Sequence, residues 1–148
     1  MASDESFTQQ VFRDTAKRRW KEAATILDMR GTHRYYDGAV TYALLSAECA
    51  LKAVLLWDAG CNDATKLPAN DDRRTVFKSK RGHDLWVIFT LGQFSFVMFP
   101  EESQALTFLR QKNPYAYRYG AVRPAKEDAK PAIEAAEQLL KFMKRVCQ

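Results

Sequence analysis

Apolar residues recur at helical spacing in the first part of the chain and predict two helices there. The first, from about Phe7 to Met29, has one apolar stripe and a basic opposite side, which is typical of an amphipathic helix on a core. Its stripe consists of Phe12, Ala16, Trp20, Ala23, Ala24 and Leu27. The second, from about Arg34 to Ala59, is apolar on nearly every side, as central helices of bundles are. Gly60 is predicted to cap its end.

The rest of the chain predicts shorter helices separated by loops. Helical spacing fails after Cys61, and a basic run follows, so we predict a mobile basic loop at about 61–82. A short buried helix is predicted over His83–Leu91, and a packed loop over Gln93–Phe99. Pro100 and two acidic residues predict the start of another helix. The last helix is predicted to begin near Asp128 or Pro131 and to end at Val146.

Together these elements predict an all-α fold, a four- to five-helix up-down bundle. A chain of 148 residues is long enough to bury one core, so we predict a single domain over residues 1–148. Phe94, Phe96 and Met98 alternate as in a strand, but no second stretch offers a partner strand. We therefore predict no sheet.

Charge adds a preference for anionic partners. Lys and Arg number 23 against 18 Asp and Glu, a net charge of +5, and the excess lies in residues 66–148. The three cysteines have no metal-like spacing and indicate a reducing compartment. The apolar stretch Ala39–Trp57 contains Glu48 and Lys52, each costing about 2.5–3.5 kcal/mol near a bilayer centre. We therefore predict a cytoplasmic protein without a membrane span.

Few residues remain as candidates for chemistry. The sequence contains no glycine-rich phosphate loop, no paired-cysteine metal site and no serine elbow, so we predict no metal and no cofactor. Glu48 and Lys52 are four apart and share one helix face. This spacing is compatible with a buried polar pair that lines a pocket, but an ordinary ion pair or a cap partner for another helix explains it better.

Two further clusters carry residues that bind anions. His83 follows Arg81 and precedes Asp84 at a predicted helix start, where a histidine can act as a general base, contact phosphate or simply pack. Arg118 lies between tyrosines in Tyr115–Tyr119. Aromatic rings interleaved with arginine can stack bases and bind phosphates, but the same residues can anchor a loop to the bundle.

These clusters, in this order on an all-α chain, resemble a HEPN domain (higher eukaryotes and prokaryotes nucleotide-binding). The resemblance rests on Ala47-Glu48 with Leu51-Lys52-Ala53, on Gly82-His83-Asp84-Leu85, and on Arg118-Tyr119. It implies a HEPN-like helical bundle that forms homodimers and binds a nucleotide or RNA. It also implies a prokaryotic toxin–antitoxin or defence module with a nucleotidyltransferase-type partner. The binding residues it implies are Glu48, Lys52, Arg81, Asp84, Arg118 and Tyr119.

The sequence departs from the family's metal-independent RNases. Their motif has an arginine, then four to six residues, then a histidine, but the corresponding positions before His83 are Val76, Phe77 and Lys78. Lysine lacks the planar fork that contacts phosphate through two donors. We therefore expect binding rather than catalysis, with a dimer formed through the first and last helices. Two alternatives remain: an RNase toxin using His83 with Lys78 or Arg81, and a noncatalytic interaction subunit that partners a nucleotidyltransferase.

Overall fold

The computed structural model describes residues 7–28, 34–78, 84–92, 94, 97–112 and 126–148. These ranges contain six α-helices and no strand, so the predicted all-α class is confirmed and the arrangement is bundle-like. The helices are α1 (Gln9–Asp28), α2 (Arg34–Asp58), α3 (Thr75–Lys78), α4 (Leu85–Gly92), α5 (Pro100–Arg110) and α6 (Lys126–Val146). The described residues contain more helices than the predicted four to five because of α3. This helix is a single turn, which is too short to show a helical period in the sequence.

Helix α2 lies at the centre, as its apolar composition predicted. It packs against α1, α4 and α6, and nearly every side chain between Ala39 and Leu56 is buried. Helix α1 runs antiparallel to it: Ile26 faces Gly38 near one end, and near the middle the Ser46 hydroxyl donates to the Ala16 carbonyl at 2.7 Å. In the described ranges, Tyr36–Asp58 alone has the length and composition to cross a membrane. Its most apolar window is 83% buried within the protein, as expected of a core helix.

The end of α2 has the predicted glycine cap. Gly60 has a φ of +69°. Its N–H donates to the Trp57 carbonyl and that of Cys61 to the Leu56 carbonyl, both at 3.0 Å. This is the Schellman arrangement, in which a left-handed residue lets the chain satisfy the last carbonyls of the helix.

The region after α2 corrects one prediction. Residues 61–78 are not without secondary structure: they contain 3₁₀ turns at Ala64–Lys66 and Asp72–Arg74, followed by α3. Asp63 and Asp71 cap the two turns through their carboxylates. Three apolar side chains of the segment enter the core, Ala64, Leu67 and Val76. Side-chain caps and isolated buried residues stabilise such turns. Because the turns have no regular apolar stripe, the sequence shows no helical period there.

The C-terminal helices follow the predictions with one shift. Helix α4 matches the predicted short buried helix, and α5 begins at Pro100 as expected, with the Glu102 carboxylate accepting from the Phe99 N–H at 2.8 Å. Helix α6 begins at Lys126, earlier than predicted, and Pro131 lies inside its second turn. The buried stripe of α6 already includes Ala129. Because its first turn already packs in the core, the helix begins before Pro131, which was one of the two predicted starts.

Candidate functional site

Glu48 and Lys52 form an ion pair in the core. Lys52 Nζ lies 3.0 Å from Glu48 Oε2, and the two residues are only 8% and 7% exposed. The rings of Phe12 and Phe77 lie near the ammonium, each with its centroid 6.0 Å from Nζ. The i,i+4 spacing thus predicted the contact correctly. The aromatic rings and the low exposure give these side chains the geometry of a buried pair rather than of an open pocket wall.

Asp84 and Lys78 are both exposed. Asp84 precedes α4, and its Oδ1 accepts from the backbone N–H groups of Trp86 at 2.9 Å and Val87 at 3.3 Å. It is therefore the N-cap of that helix, which begins at Leu85 rather than at the predicted His83. Lys78 is the last residue of α3.

The remaining predicted site residues, Arg81, His83, Arg118 and Tyr119, lie outside the described residues. Among the described candidates, the structure brings Glu48 and Lys52 into contact and places Asp84 and Lys78 at the surface.

A surface arginine stacks on a tryptophan between α4 and α5. The Arg110 guanidinium carbon lies 3.8 Å from the centroid of the Trp86 ring. Trp86 is 41% exposed, and Phe89 stacks on it at a centroid distance of 5.4 Å. Within the described ranges, no carboxylate pairs with Arg110. Its guanidinium therefore carries a charge that no described carboxylate neutralises, and the contact with the ring fixes its position.

A second stack lies at the other end of α5. The Arg145 guanidinium carbon is 3.8 Å from the centroid of Phe99, whose side chain is 53% exposed. Arg145 donates to the Val97 carbonyl at 2.8 Å and pairs with the buried carboxylate of Glu102. Its charge is thus already neutralised, and what this end presents to a ligand is an aromatic ring.

Arg73 shows the opposite case to Arg110. Its guanidinium binds both carboxylate oxygens of Asp71, with Nη2 to Oδ2 at 2.8 Å and Nε to Oδ1 at 3.0 Å. These hydrogen bonds hold the pKa of Asp71 below its ordinary value and raise that of Arg73. The pair borders a cavity of about 370 Å³, which Asp58 and Asp72 also line. Because Asp71 neutralises Arg73, Arg73 does not give this cavity a free positive charge that could bind an anion.

Metal chemistry has no candidate in the described ranges, which contain no group of three or more His, Cys, Asp or Glu arranged to hold an ion. Comparison with known proteins found no matching family model, no matching curated protein and no matching solved structure. The candidate site therefore rests on the chain's own residues, above all on Arg110 and Trp86. These two lie 24 positions apart in sequence, so no local spacing pointed to their contact.

Proposed function

We propose that this protein is a HEPN-like, cytoplasmic helical domain that dimerises and binds a nucleotide or RNA, as part of a prokaryotic toxin–antitoxin or defence-type module. The observation that carries the proposed binding is the exposed stack of Arg110 on Trp86, at 3.8 Å. Together the ring and the guanidinium offer a flat surface for a base and donors for a phosphate. The proposed activity is binding, because the arginine of the family's RNase motif is replaced before His83.

Residues at the ends of α4 and α5 are close in sequence to the motifs that carry the resemblance. Asp84, which caps α4, directly follows His83 in the sequence, and Lys112 comes six positions before Arg118. Lys112 Nζ lies 5.0 Å from the centroid of Phe108 and 3.6 Å from Asp128 Oδ1. Since Trp86 joins α4 to α5 through Arg110, the two elements that lead into those segments are in contact.

The test is titration of the purified protein with AMP and with a labelled single-stranded RNA, comparing wild type with Arg110→Gln. Loss of a base-stacking contact costs about 1–3 kcal/mol, or roughly 5- to 150-fold in affinity. Each lost phosphate contact should also reduce the slope of log affinity against log salt by about 0.7 for a single strand.

Arg19→Gln is the matched control for this titration. Arg19 lies on α1, 5.4 Å from the centroid of Tyr42, and pairs with Glu22 at 2.6 Å. The control removes the same charge and the same type of ring contact at a different place. It should leave affinity within about twofold, since a steering charge away from the site acts weakly at 0.15 M salt. Failure of the wild-type protein to bind either ligand in a salt-sensitive way would disprove the proposal.

Dimerisation through α1 and α6 is tested separately by light scattering. A dimer gives twice the 17.0 kDa mass of one chain. A mass of 17.0 kDa at micromolar concentration would contradict this part of the proposal without affecting nucleotide binding. Co-purification with a nucleotidyltransferase encoded beside this chain would support the proposed module.

A further inference from the structure

The two arginine–aromatic stacks lie at opposite ends of one helix. Phe99 immediately precedes α5, and Arg110 is its last residue. An 11-residue helix is about 15 Å long at 1.5 Å per residue, so the stacks are separated by more than one nucleotide's width. At each end an aromatic ring is about half exposed and has a guanidinium 3.8 Å from its centroid.

The exposed face of α5 between the stacks forms an open groove with both apolar and polar lining residues. Its volume is about 510 Å³, and it is lined by Pro100, Ser103, Gln104, Thr107, Phe108 and Gln111. The Ser103 hydroxyl and the amides of Gln104 and Gln111 can donate and accept hydrogen bonds, which suits the sugars and phosphates of a nucleic acid backbone. The Thr107 hydroxyl donates to the Ser103 carbonyl at 3.0 Å and can still accept a hydrogen bond. The groove contains no acidic side chain, so nothing in its lining repels an anion.

A row of packed rings connects the two ends and fixes their separation. Phe89, which stacks on Trp86, meets Phe94 at 6.3 Å, and Phe94 meets the fully buried Phe142 at 5.9 Å. The Arg145 guanidinium lies 5.6 Å from Phe142 and holds Phe99. Since closely packed cores deform little, both stacks are preorganised before any ligand arrives.

We propose that the ligand of this surface is a single-stranded nucleic acid that lies along α5 and places one base on Phe99 and another at Trp86 and Arg110. This inference rests on the proposed function and specifies its ligand. The Arg110 end supplies both a stacking surface and a positive charge that no carboxylate of the described residues neutralises. The Phe99 end supplies stacking alone, because Glu102 neutralises Arg145. A mononucleotide can occupy the Arg110 end but is too short to reach both.

The experiment compares AMP with single strands of about ten nucleotides, a length within the usual site sizes of such proteins. Phe99→Leu should lower the affinity for the strand at least about fivefold and leave the affinity for AMP unchanged. Arg110→Gln should lower both. Trp57→Leu is the matched control, since Trp57 is also 42% exposed but lies on α2 and should affect neither ligand. Circular dichroism of each variant establishes that it is folded.

Other arms of the same experiment separate the possible failures. A duplex of the same sequence should bind more weakly than the single strand, because its bases are already stacked on each other. If wild type binds AMP and the strand but Phe99→Leu retains full strand affinity, the inference is overturned while the proposed function stands. If wild type binds neither ligand, the proposed function itself fails.

Discussion

Replacing Lys52 with methionine tests whether the Glu48–Lys52 pair belongs to the core. Methionine keeps a flexible apolar chain of similar length between Phe12 and Phe77 but removes the ammonium. Glu48 retains its other contacts in this variant, yet it loses the cation 3.0 Å away while staying only 8% exposed. A carboxylate kept out of water without that partner is expected to destabilise the folded state.

The magnitude follows from the burial of both groups. The side chains of Lys52 and Glu48 are 9% and 10% exposed, so bulk water screens their interaction little. Removing one partner of a buried pair costs about 3–5 kcal/mol, and the slight exposure favours the lower end. The loss of attraction between the ammonium and two rings acts in the same direction. We therefore expect a decrease of about 3 kcal/mol in the free energy of unfolding.

Urea denaturation followed by circular dichroism measures this decrease. With a typical urea dependence of about 2 kcal/mol per molar, the midpoint should fall by about 1.5 M. The double variant Glu48→Gln/Lys52→Met should recover most of the loss, because no charge then remains buried. A loss under about 1 kcal/mol in Lys52→Met would match an exposed pair and refute the assignment of this pair to the core.

Further predictions concern Asp84, Gly60 and the two buried cysteines. Asp84→Ala should cost about 1 kcal/mol by thermal denaturation, because α4 loses its N-cap, whereas Asp84→Asn should cost little; equal losses in both variants would exclude capping as its stabilising role. Gly60→Ala should cost about 1 kcal/mol in urea denaturation because of its positive φ, with Gly60→Asn milder, and no loss would contradict the left-handed cap. Burial raises the pKa of Cys49 to about 12 and that of Cys147 to about 11, so both should resist iodoacetamide at pH 8 until the protein unfolds. Unfolded thiols ionise from about pH 9, whereas the folded ones stay protonated, so the free energy of unfolding should fall as pH rises from 9 towards 12. The fall should be less steep in Cys49→Ala. An unchanged dependence on pH in this variant would refute the link between burial of Cys49 and stability.

The sequence predicted the helices of eight residues or more but missed the single-turn elements. Helix α2 was predictable because it is apolar on nearly every side, and such a segment has few stable places outside a core. Helix α3 and the 3₁₀ turns before it were not predicted, since one turn offers too few residues to show a period. Their order comes from the capping carboxylates of Asp63 and Asp71 and from single buried side chains such as Val76.

In the candidate site, too, contacts within one helix were predictable from the sequence and contacts between distant residues were not. The contact of Glu48 with Lys52 follows from a spacing of four residues in a helix. The apolar character of α2 also predicted burial, but the contact of Lys52 with Phe77 could not be read locally, because Phe77 comes 25 positions after Lys52. The stack of Arg110 on Trp86 joins two different helices and depends entirely on how α4 and α5 pack.

How the net charge of +5 affects anion binding depends on which arginines have no carboxylate partner. The guanidinium of Arg73 binds both carboxylate oxygens of Asp71, and Arg145 pairs with Glu102. Both arginines therefore attract an anion less than an unpaired cation would. Arg110 contributes its charge at an exposed ring and has no carboxylate partner among the residues that the structure describes. A uniform basic surface would lose binding gradually as any arginine is removed. A site built on Arg110 should instead lose it at that position and tolerate the removal of Arg19.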